Sequence, residues 1–155
     1  MAQVSDEQLT QAFDPEMNSI AIIVKHKAGN MRSRWTGFPD VDGESASRDR
    51  DAEFLDPPKT RADLMAMWEE AWACVFTALA PLTDEDLGRT VTIRGEAHSV
   101  LQAISRQIAH YAYHVGQIVF LAKQHRVSEW KSLTIPRGQS REFNRRVEAK
   151  EVSQR

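Results

Sequence analysis

Three segments of the chain place apolar residues at every third or fourth position, the spacing of a helix that buries one face. The longest runs from Ser99 to Gln124 and contains no proline. Ser99 and Gln102 form a capping-box sequence, so we expect the helix to begin there. Its predicted buried stripe consists of Leu101, Ile104, Ile108, Tyr111, Val115, Ile118, Val119 and Ala122.

The two other helical segments lie earlier in the chain. One is expected to begin at Asn18 and to end near Gly37. The other covers residues 60–80, with Thr60 as its cap and Pro81 as its terminator. Proline stops a helix because it lacks the N–H donor and clashes with the preceding turn.

The remaining segments are shorter or more polar. We expect one or two helical turns within residues 5–13, a single capped turn at 83–88 and an extended segment at 89–99. Residues 39–59 read as a long surface connection, and such connections are often functional. We expect the charged side chains of this connection to form ion pairs with one another and hydrogen bonds with water; they are Arg48, Asp49, Arg50, Asp51 and Glu53.

These elements predict an all-α fold, an antiparallel helical bundle, because strand signals are almost absent. The length of 155 residues fits one domain. We place the bundle at residues 1–136 and a polar C-terminal tail at residues 137–155. The tail should wrap the domain and then fray, since it has few apolar anchors.

Composition narrows the function classes. A formal net charge of −2 gives no broad positive field, so nucleic acid is not an expected partner. The single cysteine, Cys74, excludes an internal disulfide and fits a reducing cytoplasm. The chain shows no signal peptide and no apolar run of membrane-spanning length, so we expect a cytoplasmic protein that does not bind membranes.

Candidate chemistry centres on histidines. His110 and His114 are four residues apart and project from one helix face, beside the apolar stripe, where unpaired imidazoles are costly to bury. His26 lies on another helix, which an antiparallel bundle can bring opposite this pair. Three neutral imidazoles would hold a divalent ion and leave a position open for water or substrate. A histidine pair alone is more often structural or exposed, and that alternative stays open.

Polar neighbours extend this hypothesis. The side chains expected to orient the histidine rings are Asn30, Gln107 and Gln117. The candidates for anchoring an anionic substrate or a thiol cofactor are Arg32, Arg34 and Arg94, each of which could instead be an ordinary surface arginine. Tyr111 follows His110, so the glutamate base of zinc peptidases is absent. Imidazole ligands suit zinc, nickel, iron or copper and do not select among them.

Four segments together resemble the DinB-like (YfiT-like) superfamily of metal-dependent bundles, and most closely its subfamily domain of unknown function 1572: IAIIVKHKAGNMRSRWTGF, RDRDAEF, VTIRGEAHSVLQAISRQIAHYAYHVGQIVFLAK and SLTIPRGQSREFN. The resemblance implies a four-helix bundle, here with a shortened or truncated first helix. It also implies a three-histidine metal site at His26, His110 and His114, and a homodimer.

Members of that superfamily include bacillithiol S-transferases and a mycothiol-dependent isomerase. The resemblance therefore implies a metal-dependent transferase or hydrolase that acts on a small molecule, with zinc or nickel and a low-molecular-weight thiol as cofactors. The alternative is a non-catalytic, metal-stabilised binding or stress-associated protein.

Overall fold

The computed structural model describes residues 1–44 and 46–153, and most of these residues are helical. The helices are α1 (Asp6–Thr10), α2 (Ile20–Trp35), α3 (Arg61–Leu79), α4 (Val100–Arg126) and α5 (Ser140–Glu148). Two strands, β1 (Thr90–Ile93) and β2 (Glu96–Ser99), form an antiparallel hairpin directly before α4. Ser45 of the predicted loop, and Gln154 and Arg155 of the predicted tail, lie outside the described residues.

The helix starts follow from capping chemistry. The predicted capping box of α4 is confirmed. The backbone N–H of Gln102 donates to the Ser99 hydroxyl at 3.1 Å, and the side-chain oxygen of Gln102 accepts from the backbone N–H of Ser99 at 2.8 Å. Thr60 likewise caps α3. The cap of α2 is Ser19 rather than Asn18, since the Ser19 hydroxyl accepts the hydrogen bond from the Ile22 N–H.

The hairpin is an addition to the predicted helical architecture. The segment was expected to be extended, which is confirmed, but its pairing was not predicted. Arg94 and Gly95 both have positive φ and form the turn. Asp42, far away in the sequence, accepts hydrogen bonds from the backbone N–H groups of both turn residues, at 2.9 and 2.8 Å. The hairpin therefore ties residues 39–44 to the start of α4.

Helix α2 is the central element, packed against both α3 and α4. Most of its apolar residues are almost fully buried, among them Ile20, Val24, Ala28, Met31 and Trp35. Lys27 is buried with them, and its ammonium lies 4.1 Å from the ring centroid of Trp68 and 4.8 Å from that of Trp72. Such cation–π contacts compensate part of the cost of burying the charge. The fold consists of three long helices with the short α1 beside α2, and a four-helix bundle is not confirmed.

The buried face of α4 agrees with the predicted stripe only in part: Tyr111, Ile118 and Ala122 are buried as predicted. Leu101 is 53% exposed and Ile108 is 63% exposed, whereas Val100, Ala103 and Gln107 are buried. The helix is therefore rotated so that the edge bearing Gln107 and Tyr111 faces α2. Apolar residues occur on both sides of α4, so periodicity alone could not choose the side.

The predicted tail contains a helix. Within the described part of the chain, α5 has no buried residue, and a Glu142–Arg145 ion pair of 2.6 Å lies along it. Charge pairs one turn apart support a helix locally without tertiary packing. None of the helices in the described residues has both the length and the apolar character needed to cross a lipid bilayer.

Candidate metal centre

Three histidines from two helices converge between α2 and α4. One candidate ligand atom from each of His26, His110 and His114 lies within 4.8 Å of the other two. The Nε2 atoms of His110 and His114 are 3.0 Å apart, and the His26 ring centroid is 5.0 Å from that of His114. The structure thus brings together the three predicted residues, which is the arrangement that an antiparallel packing of α2 and α4 makes available.

The hydrogen bonds of two rings identify their free nitrogens. Nδ1 of His26 lies 2.8 Å from Oε2 of Glu53, and a carboxylate can only accept, so Nδ1 carries the proton. Nδ1 of His114 lies 2.8 Å from Oε1 of Gln117 and donates to it in the same way. A neutral imidazole that donates through Nδ1 has an unprotonated Nε2, which is the atom that binds metals.

The third ring, that of His110, lacks such a partner. Its Nδ1 is buried and has no hydrogen-bond acceptor among the described residues. Burial, followed by the proximity of His114 and His26, lowers the pKa of His110 to about 4. Burial also lowers the pKa of His114. Both rings are therefore held in the neutral, ligand-competent form near neutral pH.

Glu53 is the site residue that the sequence did not identify. It was expected only to pair with charges in its own loop, and it does pair with Arg48 at 2.8 Å. Its carboxylate is nevertheless buried and also bonds His26. Burial alone would raise the pKa of Glu53, but the hydrogen bonds from Arg48 and His26 outweigh that effect and lower it.

One sequence signal could have pointed to Glu53. Gly29 lies one helical turn after His26, and a Cβ atom at this position would overlap the Glu53 carboxylate. A glycine inside a helix is unfavourable by roughly 1 kcal/mol relative to alanine, so its presence there indicates a close approach by another group. The glycine thus indicates that another group approaches the helix at this position, and only the structure identifies that group as the Glu53 carboxylate.

The predicted supporting residues are placed in different ways. Gln117 contacts His114, as described. Asn30 and Gln107 are buried and line one cavity with His26 and His110, but the side-chain oxygens of Asn30 and Gln107 have no hydrogen-bond partner among the described residues. Buried polar atoms of this kind usually have a partner, so water or a ligand is expected in the cavity.

The three predicted arginines are separated by the fold. Arg34 is 4% exposed and lines the cavity beside the histidines, and the exposed Arg94 lines it too. Arg32 is exposed and lines a different cavity, which none of the three histidines lines. The structure therefore groups two of the three with the histidine cluster.

The donor set fits a divalent metal ion. Metal–nitrogen bonds of about 2.0–2.1 Å in a tetrahedral site place imidazole nitrogens roughly 3.3 Å apart. The His110–His114 separation of 3.0 Å is close to this value, and the candidate ligand atom of His26 lies within 4.8 Å of those of the other two rings. Three nitrogen ligands would leave one coordination position open toward the cavity, whose volume is about 210 Å³.

Comparison with known proteins gives one family assignment. The family model described as Protein of unknown function (DUF1572) matches residues 1–139. Searches of curated proteins and of solved structures each gave no significant match. The matched range contains the three histidines and Glu53, so the whole candidate centre lies within it.

Proposed function

The chain belongs to the DUF1572 family of proteins of unknown function, and we propose that it is a metal-dependent enzyme that acts on a small molecule. His26, His110 and His114 would hold one divalent ion. The main support is that Glu53 and Gln117 occupy Nδ1 of two rings, which leaves Nε2 of both as free ligand atoms. Hydrogen bonds of this type orient ligating histidines in known metal sites.

A purely structural role explains the cluster less well. Two Nε2 atoms at 3.0 Å repel each other unless a proton or a cation lies between them. A proton can serve only if His110 donates to His114, and this tautomer leaves the buried Nδ1 of His110 as an acceptor without a donor. A shared cation satisfies both Nε2 lone pairs at once. The resemblance to the DinB-like superfamily makes zinc and nickel the ions that we expect.

The reaction class is inferred from the open position and from the resemblance to the DinB-like superfamily. A divalent ion supplies Lewis acidity, which favours the deprotonated form of a thiol or water molecule. The chain's own residues would fix the three rings, exclude bulk water from the His26 side, and bind the substrate in the adjoining cavity. We therefore favour the transfer of a substrate group to a low-molecular-weight thiol. Hydrolysis, with water in place of the thiol, is the alternative reaction at the same site.

We further infer that two copies of the chain associate through α4. Leu101, Ile108 and Val115 are exposed and recur at intervals of seven residues along one side of the helix. An apolar residue every seven positions supplies one of the two apolar positions per heptad through which paired helices pack. A second copy offers the same repeat, so the surface is self-complementary in the sense that a symmetric dimer requires.

Elemental analysis of untagged protein tests the metal site. We expect close to one zinc or nickel ion per chain in the wild type and almost none in His110→Ala. His98→Ala is the matched control, because His98 lies outside the cluster and bonds only the Glu96 carbonyl oxygen among the described residues. Absence of metal from the wild type, or equal metal in His110→Ala, would overturn the proposal.

A second measurement separates an enzyme from a metal-stabilised binding protein. Conjugation of L-cysteine to monochlorobimane, followed by fluorescence, reports thiol transfer: the sulfur–carbon bond forms, chloride leaves and the thiol proton passes to solvent. We expect metal-loaded wild type to accelerate conjugation and chelation to abolish the acceleration. If the metal-loaded protein does not accelerate conjugation, and chelation only lowers its melting temperature, the non-catalytic alternative is favoured.

A further inference from the structure

The cavity beside the histidine cluster is strongly basic. Five of its nine lining residues are arginines, namely Arg34, Arg48, Arg50, Arg94 and Arg106. None of the lining residues in the described part of the chain is acidic. In a protein whose net charge is −2, such a concentration of positive charge is a local feature and needs a local explanation.

Nearby carboxylates compensate only part of this charge. Glu44 lies 3.3–3.4 Å from the guanidinium groups of Arg34, Arg48 and Arg94. Glu53 pairs with Arg48 and is shared with His26. Arg50 and Arg106 have no ion pair within the described residues. Two carboxylates thus face five guanidinium groups, and the cavity has an excess of positive charge.

Arg34 has a buried guanidinium group whose hydrogen-bond donors are only partly paired. It is 4% exposed, yet its Nε and Nη1 atoms have no hydrogen-bond acceptor among the described residues. Burial lowers its pKa, and the nearby cations Arg106, Arg48 and Arg94 lower it further, against the opposing effect of Glu44. Leaving buried donors of a charged group unpaired is destabilising.

The position of Arg34 is built into the fold. A Cβ atom at Gly43 would lie 2.8 Å from both Cδ and Nη1 of Arg34, so only glycine leaves room for the guanidinium. The Gly43 N–H donates to the Thr92 carbonyl oxygen at 3.0 Å, which fixes this segment against the hairpin. The guanidinium is therefore held beside the cavity by its surroundings, as a preorganised binding group is.

We propose that Arg34, Arg94 and Arg106 bind the phosphate or carboxylate group of a small anionic molecule, next to the open side of the histidine cluster. Guanidinium groups match both oxyanions in geometry. The unpartnered oxygens of Asn30 and Gln107 would accept hydrogen bonds from a hydroxyl of the same molecule. This inference deepens the proposed function by naming the substrate class, but the arginine site itself needs no metal.

Isothermal titration of the metal-free full chain with inorganic phosphate tests the site, and malonate in a parallel titration distinguishes a carboxylate ligand from a phosphate ligand. Both are compared with sodium chloride at equal ionic strength. Arg106→Gln is the test variant, because Arg106 is exposed and its replacement should not disturb folding. Arg32→Gln removes the same charge from α2, outside the cavity, and is the matched control.

We expect phosphate or malonate to bind wild type and Arg32→Gln equally, and to bind Arg106→Gln at least tenfold more weakly. Failure of both anions to bind wild type, or equal weakening in the two variants, would overturn the proposal. Elemental analysis of the same samples keeps the two proposals apart. Anion binding without stoichiometric metal would remove only the proposed metal chemistry, and metal without anion binding would remove only the arginine site.

Discussion

Oε2 of Glu53 accepts a hydrogen bond from Nδ1 of His26 at 2.8 Å, although the two residues are 27 positions apart. The other carboxylate oxygen is held by Arg48, and the approach to α2 is open only because residue 29 is glycine. In the neutral ring this contact places the proton on Nδ1 and leaves Nε2 as the free nitrogen, so Glu53 orients His26 for metal binding.

Glu53→Gln should weaken metal binding about 10- to 100-fold, the usual effect of removing a partner that orients a ligating histidine. The amide keeps the size of the side chain but loses the charge that stabilises the Nδ1–H tautomer. Competition with a chromophoric chelator measures the affinity. Asp51→Asn, in the same loop at an exposed position, is the control and should bind metal like wild type. Equal affinities in all three proteins would contradict this role for Glu53.

Gly29→Ala should destabilise the protein by about 1–3 kcal/mol, as overpacking does, because the new methyl group displaces the buried Glu53 carboxylate from His26 and Arg48. Gly116→Ala is a matched control on α4, where a Cβ atom meets nothing within 4 Å. That variant should gain about 0.4–1 kcal/mol through reduced freedom of the unfolded chain. Urea unfolding measures both, and a stabilised Gly29→Ala protein would show that the carboxylate does not need this gap.

Local interactions explain most of what the sequence predicts here. The capping box at Ser99 involves residues three positions apart, so its chemistry is readable in the sequence and is confirmed. The i, i+4 spacing of His110 and His114 likewise fixes their common face. What joins them to His26 is tertiary packing, which the sequence permits but does not specify.

The remaining features depend on distant contacts. Glu53 and Arg48 could be recognised as partners of each other, but their burial against His26 depends on where residues 46–54 fold back onto α2. The hairpin turn depends on Asp42 from another segment. The buried side of α4 carries Gln107 together with apolar residues such as Leu121, whereas the equally large Leu101 and Ile108 are exposed, so the size of the apolar residues alone does not choose the side.

The stability of the metal-free protein should fall as the pH is lowered from about 6.5 to about 4. The pKa of His110 is lower in the folded chain than in the unfolded chain, so the unfolded state binds more protons in this window and acid favours it. Urea unfolding at several pH values measures the slope. In His110→Gln the slope should be smaller, whereas an unchanged slope would assign the pH dependence to other groups.

Ile108→Glu should convert a dimer into a monomer, because two copies of the new carboxylate would meet near the centre of the seven-residue repeat on α4. Sedimentation velocity at several protein concentrations measures the association. Gln124→Glu adds the same charge at an exposed position near the end of the same helix and should leave the dimer intact. Ile108 is 63% exposed in the single chain, so its replacement should not destabilise the fold itself. A wild-type chain that sediments as a monomer at all concentrations would show that the exposed apolar side of α4 does not bind a second copy.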